Sequence, residues 1–183
     1  MHIEDSMRLD FKDVLIRPKR STLTSRSEVD ITREFRFPHS SEPYHAIPII
    51  AANMDTTGTF EMARALGKHK ISTALNKHYC AEELQRFFTE EKFDAPIFYS
   101  LGIGDEEFSQ LIELQEKTNN AIKYLCLDVA NGYTEAFVAF VSKVRHAFPF
   151  AVIMAGNVVT GRPERRWTNG RNTISKGSDQ RDN

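Results

Sequence analysis

Five short apolar runs that alternate with four helical patterns predict an α/β protein built on a parallel sheet. Polar or small residues stand at the carboxyl end of every run. They select a TIM-type (β/α)8 barrel over an open doubly wound sheet, because a barrel uses all its loops on that face and an open sheet concentrates function at one switch point. About five of the eight strands that a barrel needs are legible, so the expected fold is an incomplete barrel.

Taken in order, Phe11 to Ser21 sets Val14, Leu15 and Ile16 beside the cations Arg17, Lys19 and Arg20, and a Ser/Thr-rich turn follows to Ser27. This segment reads as an extended surface stretch with solvated charges or as a phosphate contact; small charge runs are more often the former. Val29, Ile31, Phe35 and Phe37 alternate loosely, which predicts a short strand closing one end of the barrel. Ile47 to Ala52 is an unbroken apolar run and predicts a fully buried strand. The polar turn at Asn53, Met54 and Asp55 leads into a helix ending near Lys68, with Phe60, Ala63 and Leu66 inward. A strand over 71–75, a helix over 81–91 carrying Leu84, Phe87 and Phe88, and a strand over 96–101 continue the alternation. A helix over 105–117 follows, with Phe108, Leu111 and Ile112 on one side, and then a strand over 122–127. The plainest helix is 133–147, since Phe137, Phe140, Val141, Val144 and Phe148 fall at i, i+3, i+4, i+7 and i+11. The last strand is expected over 150–155.

Beyond Thr160 the pattern stops. Residues 161–183 have no period, and Trp167 and Ile174 are their only large apolar side chains, so a disordered tail is expected, as of a shifted reading frame or an alternative splice. The expected organisation is one barrel portion over 1–160 and a tail of different character over 161–183. Both sheet edges, near Ile49 and near Val152, are expected to be bare.

The 183 residues, 40% hydrophobic and 27% charged, suffice for one domain with a core of its own. A formal charge of -1 and a pI near 6.6 exclude a general electrostatic affinity for nucleic acid or anionic membrane. No apolar run approaches the roughly 18 residues of a membrane span. No signal peptide is visible at the amino terminus, and Cys80 and Cys126 show no CxxC spacing, so a reduced, cytoplasmic protein is expected. The histidines have no metal-ligand spacing, and no metal is expected.

Candidate functional residues are those at the strand ends: Asn53, Met54 and Asp55; Asn76 and Lys77; Gly102 and Gly104; Asp128 and Asn131; Gly156 and Asn157. Gly102-Ile103-Gly104 is too short for a dinucleotide fingerprint. Asp128 reads equally as a functional carboxylate and as the N-cap of the next helix. Cys126, between Leu125 and Leu127, reads as a small buried hydrophobe, and His78 as a structural hydrogen-bonder.

Five motifs in order, Leu9 to Asp30, Pro48 to Ala63, Lys77 to Tyr79, Cys126 to Val138 and Ile153 to Gly161, resemble the IMP dehydrogenase/GMP reductase family. Within the family they are similar to the reductase branch, because Ala52-Asn53-Met54-Asp55 stands where a dehydrogenase would show a Ser-Pro-Met-Asp turn, and no regulatory domain is inserted. The resemblance implies a barrel homotetramer that converts GMP to IMP with NADPH and releases ammonia. Its nucleophile is a cysteine thiolate that attacks C2 of the purine and leaves again after reduction. By match to the family's motifs, Ser25, Arg26, Lys77, Asp128, Val129 and Ala130 are expected to touch the cofactor, Ser25 and Arg26 from a neighbouring subunit. Asn53, Met54 and Asn157 are expected to shape the substrate site. The chain departs from the family in lacking the Gly-rich loop with the nucleophilic cysteine, so no catalytic residue is assigned and the 183-residue chain is expected to be inactive. Smaller departures are Asn76, where the family usually has histidine, and Thr57, where it usually has valine. An IMP dehydrogenase fragment and a noncatalytic product that assembles with full-length subunits are the alternatives.

Overall fold

The computed structural model describes residues 7, 9–37, 39–158 and 173–175, of which 11 and 173–175 for the backbone alone. The chain divides into two units, residues 1–31 and 32–183. In the first, the described residues hold two single turns of 3-10 helix, Phe11–Asp13 and Arg26–Glu28, and leave Leu15 and Ile16 almost wholly exposed.

Among the described residues, the second unit holds one sheet of seven strands in sequential order: β1 (Arg33–Phe35), β2 (Tyr44–Ala51), β3 (Ile71–Ala74), β4 (Ile97–Leu101), β5 (Tyr124–Asp128), β6 (Val152–Gly156) and β7 (Thr173–Ser175). All neighbours from β2 to β7 pair in parallel; β1 alone pairs antiparallel, with the start of β2. Helices α1 (Phe60–Gly67), α2 (Ala81–Glu90), α3 (Asp105–Lys117) and α4 (Glu135–Ala147) fill the crossovers between β2 and β6. This is an α/β fold that traces part of a (β/α)8 barrel.

Period-2 alternation divides the strands between two cores. Leu75, Ile97, Tyr99, Leu101, Leu125, Leu127, Ile153 and Ala155 face outward and pack with helix residues such as Leu111, Phe137 and Val144. Tyr44, Ala46, Ala74, Phe98, Cys126 and Met154 form the inner cluster. The helices begin where their side chains can satisfy free N–H groups: Thr59 Oγ1 accepts from Met62 N at 3.1 Å, and Thr134 Oγ1 from Phe137 N at 3.2 Å.

Several expectations are corrected. The expected edge near Val152 is not bare, because β7 pairs with β6, whereas at the other edge β1 pairs only with Tyr44, His45 and Ala46 and stops short of Ile49. The strand expected over Val29 to Phe37 shrinks to Arg33–Phe35. The run Ile47 to Ala52 is not fully buried: Ile49 is 56% exposed. Pro48 offers no N–H to a ladder, and the register slips between Ile47 and Ile50, so Pro48 and Ile49 bulge out of the pairing. Ile112 lies at the rim of its helix, with Phe108, Leu111, Leu114 and Gln115 inward instead. Phe150 belongs to the turn before β6 and is 79% exposed. Within the stretch read as a tail, Thr173–Ser175 form β7; its other residues lie outside the described set.

Candidate functional site at the carboxyl end of the sheet

The loops leaving β2 and β3 are locked together by one close approach. Gly58 N donates to Met54 O at 2.7 Å, and Gly58 O accepts from Asn76 N at 2.8 Å and from Asn76 Nδ2 at 3.1 Å. A Cβ on Gly58 would lie 2.4 Å from Ala74 O, so only glycine lets the two loops meet. Asn76 Oδ1 also accepts from His78 N at 3.0 Å, which fixes the turn that carries Lys77.

This arrangement brings three of the expected site residues to one point. Asn53, after β2, donates through Nδ2 to Asp128 Oδ2 at 3.0 Å. Lys77, after β3, places Nζ 4.0 Å from the same oxygen. Asp128 ends β5, and the side chains of Lys77 and Asp128 are about one-third exposed, at 36% and 31%. The ion pair therefore contributes at most about 1 kcal/mol. Its importance is positional: a carboxylate held by an amide and an ammonium is an oriented acceptor for an incoming amide, and Lys77 is a cation beside it.

The β5 and β6 loops are joined in a similar way. Gly132 N donates to Asn157 O at 3.1 Å, and Asn157 Nδ2 reaches Ala130 O at 3.4 Å. Val129 packs against the helix-side core, whereas Met54 is 62% exposed. Ser25 and Arg26 lie in the first unit; Ser25 Oγ accepts from Ser27 N at 3.2 Å as the cap of the short turn that Arg26 begins. The alternative reading of Asp128 as a helix cap is excluded, since Thr134 caps α4.

Two contacts were not legible in the sequence. His78 Nε2 and Asp55 Oδ1 approach to 3.1 Å, linking the loops after β3 and β2 at the surface. Glu107 folds back so that its carboxylate accepts from Gly102 N at 3.0 Å and Gly104 N at 3.2 Å. The Gly102-Ile103-Gly104 loop thus spends its amides on the chain's own carboxylate, which argues against a phosphate cradle there. The signal available was Glu107 three residues into the helix, the position of a capping glutamate.

Neither cysteine is an activated nucleophile. Cys126 is fully buried in the inner cluster. Cys80 is exposed at the start of α2; the Glu83 backbone amide favours its thiolate, but the Glu82 and Glu83 carboxylates outweigh it and hold the thiol above its ordinary value. Among the described residues no cluster suited to a metal ion occurs, and no helix is long and apolar enough to cross a membrane.

A sheet of this kind defines an α/β-barrel protein, and barrels of this class hold their ligands at the carboxyl end of the sheet. Residues 8–169 match the model of the IMP dehydrogenase / GMP reductase domain, and the chain belongs to that family. It is 54% identical over 161 residues to GMP reductase 2 of Mus musculus, a match covering 87% of this chain and 46% of the relative. With GMP reductase of Escherichia coli O81 (strain ED1a) it is 51% identical over 163 residues, covering 88% and 47%. The chain thus spans about half the length of the curated relatives it matches, their N-terminal part. The crystal structure of inosine 5'-monophosphate dehydrogenase from Legionella pneumophila superposes with a TM-score of 0.74 at 25% identity, over 91% of this chain and 49% of that one.

Proposed function

We propose that this chain supplies the N-terminal half of a GMP reductase site, which carries out the NADPH-dependent reductive deamination of GMP to IMP in purine nucleotide interconversion. The observation that carries this reading is the meeting of Asn53 and Lys77, from the loops after β2 and β3, at one carboxylate oxygen of Asp128, at the end of β5. The relatives named GMP reductase support it.

The residues fit a nicotinamide dinucleotide chemically. Lys77 offers a cation, Asp128 an oriented acceptor, and Ser100 a buried hydroxyl whose Oγ has no hydrogen-bond partner among the described residues. In this reading Lys77, Asp128, Val129 and Ala130 hold the cofactor, joined by Ser25 and Arg26 of a neighbouring copy in a homotetramer. Asn53, Met54 and Asn157 seat the purine nucleotide. NADPH supplies hydride when bound; this chain's part is to bind and orient, with Asn53 keeping the Asp128 carboxylate aimed. Cytoplasmic residence follows from the same reading.

The 183-residue chain alone does not turn over, because neither Cys80 nor Cys126 has the setting of a nucleophile. Purified chain incubated with GMP and NADPH should leave NADPH absorbance unchanged, and GMP-dependent oxidation well above buffer would refute this. A second reading, a noncatalytic product that assembles with full-length subunits, is favoured by the exposure of Leu15 at 98% and Ile16 at 97%. Co-expression with a full-length relative should then yield a mixed oligomer that L15D/I16D disrupts; a wild-type chain that elutes apart from the relative removes this reading.

A further inference from the structure

Ser100 lies on β4 and is 4% exposed, and its Oγ has no hydrogen-bond partner among the described residues. Strand alternation sets it on the same face as Phe98, and its register partner on β5 is Cys126; both belong to the inner cluster. On its other side, level with it because Ala74 pairs with Phe98, stands Asn76. The Asn76 amide is already committed, to Gly58 O and to His78 N. Two residues beyond Cys126 on β5, about 7 Å along the strand, comes Asp128. Ser100 therefore forms the floor of the mouth whose rim holds Asn53, Lys77 and Asp128.

A second buried hydroxyl without a partner supplies a contrast. Thr73 Oγ1 is equally enclosed, but Thr73 pairs with Ile97 and shares its outward face. One orphan hydroxyl thus faces the helices, and the other lies on the inner face, below the strand ends that carry Lys77 and Asp128.

We propose that the Ser100 hydroxyl hydrogen-bonds the nicotinamide carboxamide of the dinucleotide from below. The inference rests on the NADPH reading above. A hydroxyl both donates and accepts, which suits a carboxamide carrying N–H and C=O side by side. A guanine edge offers the same pair of groups. The nicotinamide is favoured because Ser100 is paired with β5, the strand leading into Asp128, Val129 and Ala130.

The test uses the 183-residue chain as wild type, S100A and T73V. Each is titrated with NADPH, with adenosine 2',5'-bisphosphate, which lacks the nicotinamide, and with GMP, and each is melted without ligand. S100A should weaken NADPH about five- to tenfold, the loss of one hydrogen bond. It should leave the bisphosphate and GMP as in wild type and melt no lower, while T73V alters none of the affinities. Unchanged NADPH affinity in S100A overturns the proposal. An equal loss for all three ligands with a lower melting temperature does so too, since it marks a structural role, and a loss for GMP alone reassigns the hydroxyl to the purine. If the wild-type chain binds none of the three, the cofactor reading falls with it; if wild type binds NADPH and S100A binds equally well, this inference falls alone.

Discussion

At the scale of single residues, the mouth depends on side chains with one geometric task each. Gly58 permits the loops after β2 and β3 to touch, and its alanine variant would set a methyl 2.4 Å from Ala74 O and 2.8 Å from Asn76 N, both backbone atoms that cannot turn aside. G58A should lose about 1–3 kcal/mol of stability, as overpacked sites do. Urea denaturation checks this, and a midpoint equal to wild type would show that the loops part without penalty. Asn53 acts across the mouth: it is 75 residues from Asp128 in sequence and 3.0 Å from it in space.

At the scale of elements, helix starts and strand registers decide where those side chains stand. Thr134 caps α4, the helix whose Phe137, Phe140, Val141 and Val144 anchor the loop of Asp128 to the outer core. T134A should cost about 1 kcal/mol, typical of a lost threonine cap. The measurement is again a denaturation midpoint, compared with T134S, which keeps the accepting oxygen and should lie close to wild type. Between α1 and α2, Phe60 stacks on Tyr79 and on Phe87 with centroids 3.7 and 4.1 Å away, and Tyr79 Oη accepts from Phe60 N at 3.0 Å. That stack seats the loop of Lys77 from outside the sheet.

At the scale of the barrel portion, two buried tyrosines and a half-buried one tie stability to alkaline pH. Tyr44, Tyr99 and Tyr124 all have hydroxyls pushed above the ordinary value of 10.0, chiefly by burial, Tyr99 to about 12 with Glu107 adding to it. The fold favours the protonated form, so the stability they support is complete below pH 10 and lost as the pH rises towards 12. The melting temperature should fall steadily across that interval, and Y99F should fall less steeply than wild type. A flat profile up to pH 12 would contradict the assigned burial.

The order of strands and helices was written in the periodicity, because burial on two faces forces apolar runs in strands and 3.6-residue spacing in helices. The motifs at Pro48 to Ala63 and Cys126 to Val138 likewise carried the family. Other features were settled by tertiary contacts rather than by periodicity. Pro48 breaks the ladder of β2, and β7 covers the edge near Val152 that reads as bare. Glu107 takes the amides of a glycine loop, Asn76 turns to Gly58, and the Ser100 hydroxyl has no hydrogen-bond partner among the described residues. The sequence by itself determined which residues stand at strand ends; the tertiary structure alone decided which of them meet, since hydrogen bonds such as Asn53 to Asp128 form only when the closed loops bring distant segments together.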